Sequence, residues 1–174
     1  MPNVDNPHGL NLLGRTLAGG LPTIESFNKA VGYGTAIFIG DAVARAADGS
    51  IDKAITPGTT NYSGVALNHG AASTATAHLV VTSPDSLFEC QDNNDTDGFA
   101  AVDMGLNVNL ELNAGSASTQ LSGHELDEST AAGTATLDVK LLRLFGNPNN
   151  DYGAFGRYEI VFNKHRMANA IAGI

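Results

Sequence analysis

Tryptophan is missing from this 174-residue sequence, cysteine occurs once, and Lys and Arg number 9 against 18 Asp and Glu. A single cysteine excludes an intrachain disulfide and a thiolate-built zinc site. Cys90 lies in the apolar-flanked run 87–90 (Leu-Phe-Glu-Cys) and reads as a small buried hydrophobe rather than a nucleophile. The shortage of basic residues leaves a formal net charge of −9. That argues against coating nucleic acid, where phosphate neutralisation needs a basic face, and favours a surface that stays solvated. The one local basic cluster, Lys164-His165-Arg166, reads as a solvated chain end. No apolar run approaches the length of a membrane span. Residues 1–5 (Met-Pro-Asn-Val-Asp) lack the basic and apolar regions of a secretory signal. The expectation is a protein made in a cytoplasm, with no export signal of its own and no membrane partner. Aromatics make up only 6% of the chain, so its core is expected to rest on Ala, Val and Leu.

Apolar residues in period-2 alternation and many turn residues are what the chain does have. Residues 107–113 (Asn-Val-Asn-Leu-Glu-Leu-Asn) alternate at every step, and 157–163 (Arg-Tyr-Glu-Ile-Val-Phe-Asn) do so except at Val161. Residues 135–141 alternate and run on into 142–144. Such patterning places one face on a core and the other in water, as in an antiparallel sheet with a solvated side. Further strands are expected at 35–40, 41–45, 62–67, 77–82 and 87–91, with a short helical turn within 99–105. Asp48-Gly49 is a hairpin signal of the primed-turn kind, both central positions favouring positive φ. Gly64 inside a strand predicts a bulge or a close backbone approach. Segments 115–119, 128–133 and 147–151 read as loops, and the 20 glycines suit tight turns. Strands at short, regular spacing with turn chemistry between them predict an all-β fold, a sandwich or a barrel. The length fits one domain with a real core.

Residues 1–30 carry no clear period and are broken by Asn6-Pro7, Gly14, Gly19-Gly20 and Pro22, yet they hold Leu10, Leu12, Leu13, Leu17, Leu21 and Ile24. A disordered tail has fewer apolar residues. Two readings stay open: an extended arm ordered against another surface, or a strap lying over its own domain. Residues 167–174 are small and mildly apolar, a second arm or a frayed end.

Candidate chemistry is sparse. In 92–98 (Asp-Asn-Asn-Asp-Thr-Asp-Gly), Asn93, Asp95 and Asp97 match the first, third and fifth ligand positions of an EF-hand loop, with Gly98 at the sharp turn. Met104 stands where the closing bidentate Glu belongs, so this is a weak calcium candidate beside a plain Asx-rich turn. The five histidines, His8, His69, His78, His124 and His165, have no metal-ligand spacing. The run 124–128 (His-Glu-Leu-Asp-Glu) reads as a polar loop. Ser, His and Asp combinations arise by chance in a chain this rich in Ser and Asp. Neither a Gly-x-Ser-x-Gly elbow nor a phosphate-binding loop is present. Abundant carboxylates leave a glycosidase pair open, but a carbohydrate cleft is normally lined with aromatics and this chain has few. No cofactor is expected.

The order of several stretches carries a family resemblance: 40–43 (Gly-Asp-Ala-Val) with 47–50 (Ala-Asp-Gly-Ser), 62–67, 86–92 (Ser-Leu-Phe-Glu-Cys-Gln-Asp), 105–110, 137–144, 147–153 (Asn-Pro-Asn-Asn-Asp-Tyr-Gly) and 159–165. With the opening 3–9 (Asn-Val-Asp-Asn-Pro-His-Gly) they resemble the decoration, or cement, proteins of tailed-bacteriophage capsids. The resemblance covers most of the chain, and the order of elements carries it rather than any single motif. It implies an antiparallel β-barrel or β-tulip body over 31–166, an extended N-terminal arm over 1–30 and a C-terminal tail over 167–174. It also implies a non-enzymatic protein on the virion's capsid exterior that bridges major capsid subunits and associates with itself, as a trimer in preference to a dimer. The arm residues Leu10, Leu12, Leu13, Arg15, Leu17 and Leu21 are the expected capsid contacts. A tail- or fibre-associated module binding host glycans through loops 116–119 and 128–134 is the alternative. A small hydrolase would require convergent carboxylates or a metal, which the spacing does not supply.

Overall fold

Eleven strands form two antiparallel sheets in a computed structural model that describes residues 3–29, 32–58 and 60–168. The six-stranded sheet runs β1 (Asn11–Thr16), β7 (Ser86–Gln91), β11 (Arg157–Phe162), β10 (Val139–Leu144), β8 (Asn107–Glu111) and β9 (Glu125–Ala132). The five-stranded sheet runs β2 (Ile24–Asn28), β6 (Ala77–Val81), β5 (Tyr62–Ala66), β3 (Ala42–Arg45) and β4 (Ile51–Lys53). The all-β expectation holds, but the sheets do not close into a barrel. β1 and β9 end one sheet, and β2 and β4 end the other. Where the chain passes between sheets, at 17–23 and 82–85, Gly19, Gly20, Pro22 and Pro84 interrupt the ladder.

The main core lies between the sheets. Phe88, Cys90, Tyr158, Ile160, Phe162, Val139, Leu141, Val108 and Leu110 project from one side to meet Ala42, Val65 and Val81 from the other. Phe162 stacks on Tyr62 and meets Phe88 edge-on, so the few aromatics are concentrated at the centre. A second cluster, Ile37, Val43, Ile51, Ala66 and Val80, sits on the far face of the five-stranded sheet. Residues 35–40, expected as a strand, are instead an irregular segment that lays Ile37 over that face and is held by isolated bridges at Ile37 and Ile39. Gly40, at φ 88°, breaks its extension.

For residues 1–30 the sequence left an extended arm, the reading that the family resemblance implies, beside a strap over the chain's own domain. The described part, 3–29, is instead built into the body: β1 pairs with β7 and β2 pairs with β6, so this segment forms an edge of each sheet. Residues 3–10 cross the end of β7, where Asn6 N donates to Gln91 Oε1 and Gln91 Nε2 donates to Val4 O. Leu10 N donates to Gly40 O at 3.0 Å.

Other local expectations divide. At Gly64 both predicted features occur: the β3–β5 register skips Ser63, and a Cβ on Gly64 would overlap the Val81 carbonyl oxygen. Cys90 is fully buried, and the helical turn is a 3-10 turn at Ala101–Asp103. In the Asp48-Gly49 hairpin only Gly49 has positive φ (87°), so a wider loop with a left-handed glycine replaces the primed turn. Segments 124–128 and 128–133, expected as loops, lie largely in β9, whose polar residues suit a sheet edge. Residues 135–138 are not strand, because the Asp138 carboxylate takes the backbone N–H groups of Gly58 and Leu110. Of the expected tail, 169–174 lie outside the described residues.

Candidate functional site

The outer face of the six-stranded sheet would be expected to carry solvated residues. On β7, however, Glu89 and Gln91 are as buried as the core residues Phe88 and Cys90 that alternate with them. The N-terminal crossing explains this, because residues 3–10 pass over that face before β1 pairs with β7. Glu89 is 1% exposed. Its Oε2 accepts hydrogen bonds from His8 Nε2 at 3.0 Å and Asn11 Nδ2 at 3.1 Å. Its Oε1 has no hydrogen-bond partner, and the nearest cation, Arg157 Nη1, stands 3.7 Å away. His8 Nδ1 faces the carbonyl of Asn6 at 3.0 Å. Both ring nitrogens therefore face acceptors, which favours the imidazolium. The Glu89 hydrogen bond raises the His8 pKa against the opposing effect of burial. Burial alone would raise Glu89, but the His8 and Asn11 hydrogen bonds and the Arg157 charge outweigh it and hold the carboxyl below its ordinary range.

Beside this group lies an open hollow of about 420 Å³, bounded by the N-terminal segment, by β7 and β11, and by Ile39, Leu67 and Leu121. A second hollow, about 250 Å³ and almost wholly apolar, lies at one end of the same face between Leu17, Pro84, Leu142 and Val161. That end of the molecule also exposes apolar side chains. In the β1–β2 connection Leu17 is 57% and Leu21 88% exposed, and Ile24, at the start of β2, and Leu79, opposite Ser26 on β6, are half exposed.

The six expected contact residues therefore separate. Leu10 is buried in the core, and Leu12 packs against it. Leu13 is half-buried in β1. Arg15 is engaged with the buried Glu159 through two hydrogen bonds of 2.8 and 2.9 Å. Leu17 and Leu21 alone among the six present large apolar surface to solvent.

The calcium candidate is arranged for a different purpose. Backbone N–H groups of Thr96, Asp97 and Gly98 and the Thr96 hydroxyl all donate to the Glu128 carboxylate. Asn93 Oδ1 accepts from Asp95 N and Glu128 N, while its Nδ2 donates to Glu111. The loop thus wraps an internal carboxylate and spends the Asn93 oxygen on its own backbone. Among the described residues no group of three His, Cys, Asp or Glu side chains could hold a metal ion.

The fold does gather a Ser, His and Asp set that no spacing along the chain singles out: Asp41, Ser122 and His124. Its connectivity differs from that of a catalytic triad. Ser122 Oγ donates to Asp41 Oδ1 at 2.7 Å, and His124 Nδ1 accepts the Ala42 N–H at 3.2 Å. His124 Nε2 stands 3.4 Å from Asp41, and Lys53 Nζ stands 3.7 Å from the same oxygen. Burial drives His124 well below its ordinary pKa and raises that of Asp41, a rise that Lys53 opposes. The hydroxyl is hydrogen-bonded to the carboxylate instead of the imidazole, and the set is enclosed, so it pins 38–42 to 122–124.

No family model, no curated protein and no solved structure matches the chain.

Proposed function

We propose that the protein is a non-enzymatic virion component that binds the exterior of a tailed-bacteriophage capsid, bridges major capsid subunits and associates with copies of itself. The motif order from 40–43 to 159–165 suggests the class. The observation that carries the reading is the exposed apolar end, with Leu17, Leu21, Ile24 and Leu79. Large apolar side chains left exposed close together in the chain, as at Leu17, Leu21 and Ile24, suit a contact surface. An acidic body of net charge −9 keeps the remaining surface in water and resists self-aggregation. Binding only the assembled shell would stabilise that shell by mass action, and repetition over a closed lattice would supply avidity from modest contacts.

The test is copy number, measured by quantitative mass spectrometry of purified virions against the major capsid protein. The expected result is a ratio near one, or a simple fraction of it fixed by lattice symmetry. A few copies per hundred, or absence from the particle, would overturn the reading.

A further inference from the structure

Glu89 Oε1 is buried without a hydrogen-bond partner, with only the Arg157 ion pair at 3.7 Å set against it. A carboxylate oxygen without a hydrogen-bond partner in a residue 1% exposed costs free energy, and Glu89 is among the residues lining an open hollow of about 420 Å³. That volume falls in the range of small-molecule sites, roughly 300–1,000 Å³. Across from it, the partly exposed Arg157 guanidinium pairs with Glu89 at 3.7 Å and makes no hydrogen bond with any described residue. The 3.7 Å gap between Arg157 Nη1 and Glu89 Oε1 separates a strong donor from a strong acceptor.

The chemistry of an occupant follows from those two groups. Glu89 Oε1 requires a donor, which excludes a simple anion. A cation would be repelled by Arg157 and by His8, whose two ring nitrogens both face acceptors. A hydroxyl donates and accepts at once and carries no charge, so it can sit between the two. Leu12, Leu67 and Leu121 supply aliphatic wall for the C–H face of a ring. We propose that the hollow between Glu89 and Arg157 binds a small neutral polyol, a single hexose-like ring, with one hydroxyl bridging Glu89 Oε1 and Arg157. The scarcity of aromatic side chains limits the site to one ring and to affinity on the order of millimolar. This ligand site is separate from the exposed apolar end and stands or falls independently of capsid binding.

The experiment is saturation-transfer NMR on the full chain with the methyl glycosides of glucose, galactose and mannose and with myo-inositol, followed by amide-shift mapping. At least one probe is expected to give transfer, with shifts confined to the neighbourhood of Asn11, Leu67 and Leu121. Glu89→Gln should abolish transfer. Arg157→Met, at a partly exposed position, leaves the buried carboxylate's other hydrogen bonds in place and should weaken binding about tenfold, some 1.4 kcal/mol. No transfer from any probe at about 50 mM would leave an ordered water as the only occupant and overturn the proposal. Shifts elsewhere, or wild-type binding by Arg157→Met, would overturn it equally.

Discussion

Substituting Leu10 and Leu21 separately tests whether the N-terminal segment belongs to the body or hangs from it. Both leucines fall in the same irregular stretch of sequence. Leu10 is 1% exposed and sits in the main core, whereas Leu21 is 88% exposed. Leu10→Ala removes buried methyl groups and leaves a void, a change that costs about 2–5 kcal/mol where the surroundings cannot collapse. Leu10 is held by its own N–H on Gly40 O, and a Cβ on the adjacent Gly9 would overlap Ser122 and Gly40. Little room for relaxation remains, so about 3 kcal/mol is expected. For a domain of this size that corresponds to a fall in Tm of roughly 6–12 °C. Leu21→Ser, on an exposed connection, should stay within about 0.5 kcal/mol. Urea titration of both variants at one pH measures the difference. A Leu10→Ala midpoint equal to wild type, with unchanged m, would refute the placement of this segment in the core. Deleting residues 1–24 is a poorer probe of capsid binding, because it removes β1 and Leu10 along with the exposed leucines.

Burial, together with the nearby Glu128 charge, pushes Asp92 up to about 7. The folded protein then binds a proton that the unfolded chain lacks between about pH 4 and 7, so this group makes the fold more stable as pH falls through 7. Between pH 8 and pH 5 its contribution is about 2–3 kcal/mol, which Asp92→Asn should remove from the difference between urea melts at the two pH values. Gly64→Ala should cost more than about 2 kcal/mol or prevent accumulation of soluble protein, since the new Cβ meets the Val81 carbonyl at a backbone φ of 143°. A Tm within a degree of wild type would show that β5 and β6 approach less closely.

Strands with strict alternation were legible. Residues 107–113 and 157–163 contain β8 and β11, because a one-sided core imposes the period directly. β1 and β2 were not legible. Leu12-Leu13-Gly14 and Glu25-Ser26 carry no period, and these strands owe their conformation to β7 and β6, where Asn11 faces Glu89 and Ser26 faces Leu79. Tertiary pairing of that kind overrides local propensity. The apolar run 35–40 misled for the opposite reason, being hydrophobic because it covers a sheet rather than because it joins one. The Glu89 hollow had one sequence signal, a lone carboxylate inside 87–90. Its partners His8 and Arg157 meet it only through the β1–β7–β11 order, which spacing along the chain does not reveal.

That same order explains how β1 finds its register. Asn11, Glu89, Glu159 and Arg143 form one lateral row across β1, β7, β11 and β10. Two buried glutamates directly opposite each other repel, so the β7–β11 pair alone is electrostatically poor. The row behind it, Leu12, Phe88, Ile160 and Leu141, is wholly apolar and tolerates slippage by two residues. Charge removes that freedom. Glu89 takes His8 and Asn11, while Glu159 takes Arg15 and Arg143. The N-terminal segment thus supplies a donor to each carboxylate. Arg15 is half exposed, and its pair with Glu159 alone contributes about 0.2–1 kcal/mol. Sliding β1 by two residues would nevertheless strip both buried glutamates at once, and unpaired buried charge costs several kcal/mol. Apolar contact makes the segment adhere, and the two glutamates decide where along β7 it stops.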